Sequence, residues 1–164
     1  QTMTVVSNTS PITNLAGIGQ LDLLHRLYGS ITIPQAVYNE MATIGRTVPG
    51  ALEVQTLPWI TVQPVTDRNQ VQALRAVLDP GEAEAIVLAI ELNAALLIID
   101  ERPGRAIAKQ NSIPIIGVLG VFLEAKHQGF IVAVKPLVDR LINELAFRVS
   151  SQLYETVLQS ASED

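Results

Sequence analysis

The sequence predicts an α/β fold with a mainly parallel sheet, and three observations support this prediction. Short runs of β-branched and aliphatic residues alternate with segments whose apolar residues recur at helical spacing. The run at residues 94–99 is apolar throughout, as expected of a parallel strand buried on both faces. Apolar residues make up 48% of the 164-residue chain and charged residues only 16%, which indicates a well-buried sheet.

Turn residues and apolar periodicity place the elements in order. A first strand at residues 4–7 ends at a cluster of capping and turn residues that includes Pro11. Further strands are expected at residues 30–33, 59–62, 94–99 and 113–116. Helices are expected at residues 12–27, 34–42, 69–78, 81–93, 104–110, 118–128, 136–147 and 151–161. Residues 43–58 are rich in Gly, Pro and Thr and are predicted to form a mobile loop, and no linker divides residues 1–164, so we expect one domain.

Composition excludes several classes of protein. The absence of cysteine excludes disulfides and thiolate metal sites, and two histidines make a histidine zinc site improbable. The longest uncharged apolar stretch is too short to cross a bilayer and no secretory segment is evident, so we expect a cytoplasmic protein without a membrane partner. The net charge of −5 counts against a non-specific nucleic-acid binder, although the local distribution of charge matters more than its sum.

Asp100 is the first candidate site residue because it directly follows the buried strand at residues 94–99. The carboxyl ends of parallel strands open into the crevice in which α/β sheets bind their ligands. Asp is also a good residue to cap the helix expected next, so both interpretations of Asp100 remain open.

Glu82 is the second candidate because its position on the predicted helix is unusual. At about 100° per residue, Glu84 and Glu91 fall together on one side, which we expect to face water. Glu82 falls on the opposite side and is expected to project inward. The spacing from Asp79 also fits a reciprocal capping box, which is an equally good explanation of Glu82.

Glu40 and a basic segment complete the candidates. Glu40 lies on the flank of an apolar stripe, where an ordinary surface glutamate is the simpler explanation. Carboxylates that converge at a sheet edge repel one another, and a divalent cation relieves that repulsion. Arg102, Arg105 and Lys109 share one helical face, which could hold a phosphate backbone or simply face solvent.

Taken together and in order, several segments of the chain resemble the PIN-domain superfamily, in particular an uncharacterised bacterial and archaeal branch related to VapC-type toxins. The segments that carry the resemblance are Val6-Ser7-Asn8-Thr9-Ser10-Pro11, Ile33-Pro34-x-Ala36-Val37-Tyr38-x-Glu40, Gly81-Glu82-Ala83-Glu84-Ala85-Ile86, Ile99-Asp100-Glu101-x-x-Gly104-Arg105-x-x-Ala108 and Gly117-Val118-Leu119-Gly120.

The resemblance implies a three-layer α/β/α domain whose acidic pocket binds Mg²⁺ or Mn²⁺ and cleaves RNA. It assigns the four acidic positions of the superfamily, in order, to Asn8, Glu40, Glu82 and Asp100, with Glu101 as an auxiliary metal ligand. Of these, Glu40, Glu82 and Asp100 are the expected catalytic residues. The expected nucleic-acid contacts are Thr9, Ser10, Arg102, Arg105 and Lys109.

Asn8 departs from the family pattern, which has an aspartate at this position. An amide oxygen can still bind a hard cation, but it brings no charge and should lower metal affinity. The site could therefore bind metal with three carboxylates and an amide, bind it only with RNA phosphates in the shell, or have lost catalysis.

We expect a metal-dependent endoribonuclease similar to VapC toxins. The first alternative is a catalytically weakened PIN-like module that binds nucleic acid or protein, and the second is a response-regulator-like or phosphatase-like domain. The expected partners are an RNA substrate, further copies of the chain in a homodimer or higher homo-oligomer, and, from the resemblance alone, a small antitoxin. The proposal requires Glu40, Glu82 and Asp100 to meet at one edge of the sheet.

Overall fold

The computed structural model of the protein describes residues 3–43 and 47–164. Within those residues the chain forms one five-stranded, fully parallel sheet and ten helices. The strands are β1 (Val5–Ser7), β2 (Ile31–Pro34), β3 (Ile60–Gln63), β4 (Leu96–Ile98) and β5 (Ile115–Ile116). The helices are α1 (Thr9–Gly17), α2 (Asp22–Tyr28), α3 (Gln35–Ala42), α4 (Ala51–Thr56), α5 (Arg68–Leu74), α6 (Pro80–Glu91), α7 (Arg102–Gln110), α8 (Val118–His127), α9 (Lys135–Leu145) and α10 (Ser151–Ser160).

The strand order β3-β2-β1-β4-β5 places β1 at the centre of the sheet. Val6 of β1 is in register with Thr32 of β2 on one side and with Leu97 of β4 on the other. The chain moves outward from β1 through β2 to β3 and then returns to add β4 and β5 on the opposite side. This reversal opens a crevice at the carboxyl ends of β1 and β4, which is where such sheets bind ligands.

Two apolar clusters cover the two faces of the sheet. Val5 and Ile98 belong to the first cluster, which includes side chains of α1, α2, α3, α8 and α9. Val6 and Leu97 belong to the second, which includes side chains of α5, α6 and α7. Successive residues of a strand point to opposite faces, so each strand supplies both layers. The predicted three-layer α/β/α fold with a parallel sheet is confirmed.

Two predictions of local structure are wrong. The helix expected at residues 12–27 is two helices, because the chain turns between Gly17 and Asp22 through Gly19, whose φ is +70°. The loop expected at residues 43–58 contains α4, which begins after Gly50 and buries Val54. Residues 44–46 of that predicted loop lie outside the described residues. Across the parts of the chain that are described, no helix has the length and apolar character needed to span a bilayer.

The predicted exposure of Glu84 is also wrong, since Glu84 is only 7% exposed. Its carboxylate accepts a hydrogen bond of 2.9 Å from the backbone N–H of Ala36 and one of 2.7 Å from Arg68 Nη1. Helices α3 and α5 both pack against α6, so the side of α6 that carries Glu84 is covered. Glu91 on the same side is exposed, as expected, and accepts hydrogen bonds from backbone N–H groups that precede α5.

We expect Glu84→Ala to lower the free energy of unfolding by about 2 kcal/mol, because it leaves the N–H of Ala36 without a partner near the start of α3. Arg68→Ala should also be destabilising, by about 1–2 kcal/mol, because it leaves Glu84 Oε2 without its partner although the Arg68 side chain itself is 55% exposed. Urea unfolding of both variants measures the two effects. Glu155→Ala, at an exposed position of α10, is the control. A loss from Glu84→Ala no larger than that of the control would contradict the assigned role.

Candidate metal centre

Three segments meet at the carboxyl end of β1. Asn8 follows the strand, donates its backbone N–H to the carbonyl of Ile98 at 3.0 Å and is only 2% exposed. Thr9 Oγ1 donates a 3.0 Å hydrogen bond to Glu40 Oε2, which lies on α3. A Cβ placed on Gly81, in the first turn of α6, would lie 3.2 Å from Glu40 Oε2 and 3.4 Å from Asn8 Oδ1. The absence of a side chain at Gly81 lets α6 approach both groups.

Glu82 forms the capping box that its spacing from Asp79 predicts. Asp79 Oδ1 accepts a 2.8 Å hydrogen bond from the N–H of Glu82, and Glu82 Oε1 accepts a 3.3 Å bond from the N–H of Asp79. Glu82 is also inward-facing, at 4% exposure, and its second oxygen, Oε2, has no hydrogen-bond partner. Capping therefore accounts for one oxygen of this buried carboxylate and leaves the other available to a ligand.

Asp79, Glu82 and Glu101 form a cluster in which one oxygen of each carboxylate lies within 4.8 Å of the other two. Burial, followed by the negative charges of Asp79 and Glu101, raises the pKa of Glu82 from its ordinary 4.5 to about 7. Burial is also the main cause that raises the pKa of Glu101, followed by the charge of Asp79. We call these three residues the acidic cluster.

Asp100 lies on one flank of the acidic cluster and contributes a charge that raises the pKa of Glu101. Its Oδ1 accepts a 3.0 Å hydrogen bond from the N–H of Val118, and its Oδ2 is buried without a partner. Burial raises the pKa of Asp100, against opposing effects of the Val118 bond and the Arg105 charge. Asp100 does not cap α7, whose N-cap is Glu101 with no side-chain hydrogen bond. The capping interpretation of Asp100 therefore names the wrong helix, because its carboxylate caps the start of α8.

Gly117 permits this contact between Asp100 and α8. A Cβ on Gly117 would overlap Asp100 Oδ1 and lie 3.2 Å from Arg105 Nη1. The sequence marker that begins at Gly117 therefore has a local physical reason, which is the close approach of the Asp100 carboxylate.

The predicted site residues fall into three groups. Glu82 and Glu101 are in the acidic cluster, while Asn8, Thr9 and Glu40 lie together beside the first turn of α6. The charge of Glu40 also raises the pKa of Glu101, which places Glu40 within electrostatic reach of the cluster. Asp100 stands on the side toward α8, and Ser10 lines the cavities on both sides of Glu101.

The three cations predicted to share one face of α7 do not have the same surroundings. Arg105 turns inward and donates a 2.8 Å hydrogen bond to the carbonyl of Ile99, so it supports the backbone before Asp100. Arg102 and Lys109 are exposed, and within the described part of the chain neither forms an ion pair. Arg102 and Lys109 are therefore the two exposed cations of the predicted set on α7.

Asp79 is the residue that sequence reasoning missed as a possible metal ligand. It was recognised only as a helix cap, yet its carboxylate lies in the acidic cluster. A signal was present, because a capping box necessarily brings the side chains of its two members together. Once Glu82 was a candidate ligand, Asp79 should have been one as well.

The donor set fits a hard divalent cation. Mg²⁺ and Mn²⁺ prefer carboxylate oxygens, and Mg²⁺ keeps several of its waters when it binds one or two protein carboxylates. A cation among Asp79, Glu82 and Glu101 would relieve their repulsion and give Glu82 Oε2 a partner.

The comparison with known families agrees with the fold. The model of a PIN-domain family matches residues 4–163, so the chain belongs to the PIN-domain family. The PIN domain is a nuclease-type fold, and PIN domains generally use divalent metals and bind nucleic acids. The predicted resemblance is thereby confirmed at the level of the family.

A solved structure has the same architecture. The chain is similar to a PilT N-terminus domain protein from the hyperthermophilic archaeon Sulfolobus solfataricus P2, with 21% sequence identity and a TM-score of 0.50. The match covers 73% of this chain and 90% of the archaeal chain. At this identity the similarity concerns the fold alone. No curated protein matches the sequence.

The raised pKa of Glu82 predicts how stability depends on pH in the metal-free protein. The folded protein holds a proton on Glu82 up to about pH 7, whereas the unfolded chain loses it near pH 4.5. Stability should therefore be greatest below about pH 4.5 as far as this group is concerned, and should fall as pH rises toward 7. The loss should be at most about 3–4 kcal/mol, because the two pKa values differ by about 2.5 and one pKa unit corresponds to about 1.4 kcal/mol.

Glu82→Gln removes the charge and retains a residue that suits the capping box. The free energy of unfolding of this variant should therefore not show the fall from Glu82 between pH 4.5 and 7. Urea unfolding in EDTA at several pH values measures the difference, with Glu155→Gln as the control. The prediction fails if the free energy of unfolding of Glu82→Gln and of the wild-type protein changes with pH in the same way from pH 4.5 to 7, since Glu82 would then have no raised pKa.

Proposed function

We propose that the protein is a metal-dependent endoribonuclease that hydrolyses phosphodiester bonds of RNA at the acidic cluster. The observation that carries this proposal is the buried Glu82, which has one oxygen without a partner and lies in a cluster with two further carboxylates, in a chain of the PIN-domain family. Burying an unpaired carboxylate is costly, and a structural role would require only the oxygen that caps α6. A bound cation explains the remaining oxygen.

Asp79, Glu82 and Glu101 are the proposed metal ligands, with Glu40 and Asn8 completing the shell directly or through water. When bound, Mg²⁺ or Mn²⁺ supplies a water of lowered pKa and neutralises charge on the scissile phosphate. The number of ions and the choice between the two metals belong to the proposal.

The protein itself holds and orients the other groups. Thr9 fixes one oxygen of Glu40 through its 3.0 Å hydrogen bond. The N–H of Val118 fixes Oδ1 of Asp100, so that Oδ2 is free to accept the proton of an attacking water. The exposed Arg102 and Lys109 are proposed to hold phosphates that flank the cleaved bond.

The acidic cluster supports one of the three interpretations of Asn8. This side chain lies within the site and offers an amide oxygen, but it brings no charge. Asp79 and Glu101 supply two carboxylates that the four family positions do not include. We therefore favour a site that binds metal without an aspartate at position 8 over one that has lost its metal.

The alternative is a PIN-like module that binds nucleic acid or protein without cleaving it. The observation that favours it is the neutral, buried Asn8 at the first acidic position. Calorimetry separates the alternatives, because a binding module with a degenerate site should take up no Mn²⁺ at millimolar concentration.

Other parts of the expected biology remain proposals. Self-association into a homodimer or higher homo-oligomer is proposed from the sequence alone. A role as a toxin, a small antitoxin partner, a cytoplasmic location and a single domain over residues 1–164 rest on the sequence alone.

An RNA cleavage assay with Mn²⁺ tests the proposal. Asp100→Asn should lower the rate by about 100-fold or more, because it removes the proposed proton acceptor and keeps the shape of the side chain. Glu82→Gln and Asp79→Asn should weaken Mn²⁺ binding, and EDTA should abolish cleavage. Asp22→Asn, at an exposed position of α2, should cleave like the wild-type protein. If Asp100→Asn and Asp22→Asn cleave equally well, Asp100 has no part in the reaction.

A further inference from the structure

A cavity of about 680 Å³ adjoins the acidic cluster on the side of Asp100. Its walls come from α1, α8, α10 and the segment at residues 147–148 between α9 and α10. We propose that this cavity, here called the base pocket, takes a nucleobase of single-stranded RNA, from a nucleotide next to the cleaved bond. The inference rests on the proposed function, because it assigns that function a substrate class.

The position of the base pocket suits a neighbouring nucleotide. Asp100 and Glu101 line it, and Glu101 and Ser10 also line the cavity of about 320 Å³ on the other side of the cluster. A strand whose phosphate lies at the acidic cluster would therefore have the base pocket directly beside it. Its volume falls within the range of about 300–1,000 Å³ that is usual for ligand sites.

The lining of the base pocket suits a flat aromatic ligand. Leu119, Leu123 and Phe147 supply apolar surface. Phe147 reaches the pocket because α9 ends at Ala146 in a left-handed conformation, with φ +55°, and the N–H of Phe147 then bonds to the carbonyl of Leu141 at 3.1 Å. Proteins that bind single strands stack bases on such rings, whatever the base.

Polar groups in the base pocket lack partners from the protein. Ser10 Oγ is buried and has no hydrogen bond, and Asn14 lies one helical turn further along the same lining. A hydroxyl and an amide can each donate to and accept from the edge of a base. An apolar peptide side chain would leave Ser10 unsatisfied, so these groups favour a base.

An exposed guanidinium in the lining of the base pocket suits a nucleic-acid ligand. Arg148 lines the pocket, is exposed and, among the described residues, pairs with no carboxylate. A guanidinium at this place can bind the phosphate that follows the inserted base.

Fluorescence anisotropy with a labelled single-stranded oligoribonucleotide tests the base pocket, in millimolar Ca²⁺ and with the intact strand verified on a gel. Phe147→Leu should weaken binding by about 5- to 100-fold, the range expected for the loss of one stacked base. Arg148→Gln should weaken it several-fold and reduce the dependence on salt. The matched controls, Phe130→Leu and Arg75→Gln, lie outside the pocket lining and should change binding less than twofold.

A series of strands with one base removed at successive positions gives the decisive comparison. Removal of the base at one of these positions should weaken binding by the wild-type protein. On that strand the wild-type protein and Phe147→Leu should bind with equal affinity. Arg148 is exposed, so Arg148→Gln remains informative even if Phe147→Leu unfolds. The proposal is overturned if every base-deleted strand binds like the intact strand, or if both pocket variants bind like their controls.

Two further outcomes separate this inference from its competitors. If Leu153→Asp, at the pocket edge, changes the oligomeric state while strand binding stays unchanged, the pocket is an interface between copies and the inference is wrong. If the wild-type protein cleaves no RNA with Mn²⁺ but still loses affinity at one base-deleted position, the nuclease proposal fails and the base pocket stands.

Discussion

The crowding of carboxylates at the carboxyl edge of the parallel sheet is the constraint on which the proposed site depends. The reversal of strand order at β1 brings the carboxyl ends of β1 and β4 to one crevice, and the start of α6 adds Asp79 and Glu82. Three carboxylates then lie within 4.8 Å of one another, and the most buried of them, Glu82, has a pKa of about 7. Without a cation, a proton on Glu82 relieves the repulsion among these carboxylates. With a bound cation, the same carboxylates would act as its ligands.

Helix capping and metal binding are not competing explanations of these residues. Glu82 uses Oε1 to cap α6, and Asp100 uses Oδ1 to cap α8, while Oε2 and Oδ2 remain buried without partners. The backbone N–H groups therefore act as orienting groups, because each fixes one oxygen of a carboxylate and leaves the second without a partner. A helix N-terminus also favours negative charge, which lowers the cost of holding the carboxylates there.

The sequence predicted the layers of the fold because strand runs and helical periodicity depend on local spacing, and it predicted the inward direction of Glu82 for the same reason. It failed for Glu84, because a single helix examined alone does not reveal that α3 and α5 cover its other side. It failed for Asp100 as a cap, because the helix that Asp100 contacts begins 18 residues later. Asp79 was missed because its spacing from Glu82 was explained by helix capping alone. For Glu84 and Asp100 the missing information was a contact distant in sequence.

Anomalous X-ray scattering from a crystal grown with Mn²⁺ tests the central claim most directly. A peak between the carboxylates of Asp79, Glu82 and Glu101, with Glu82 Oε2 at a distance typical of a metal ligand, is the predicted result. The same crystal of Glu82→Gln should show a weaker peak or none. Ordered Mn²⁺ elsewhere on the protein, with no density among these three residues, would contradict the account.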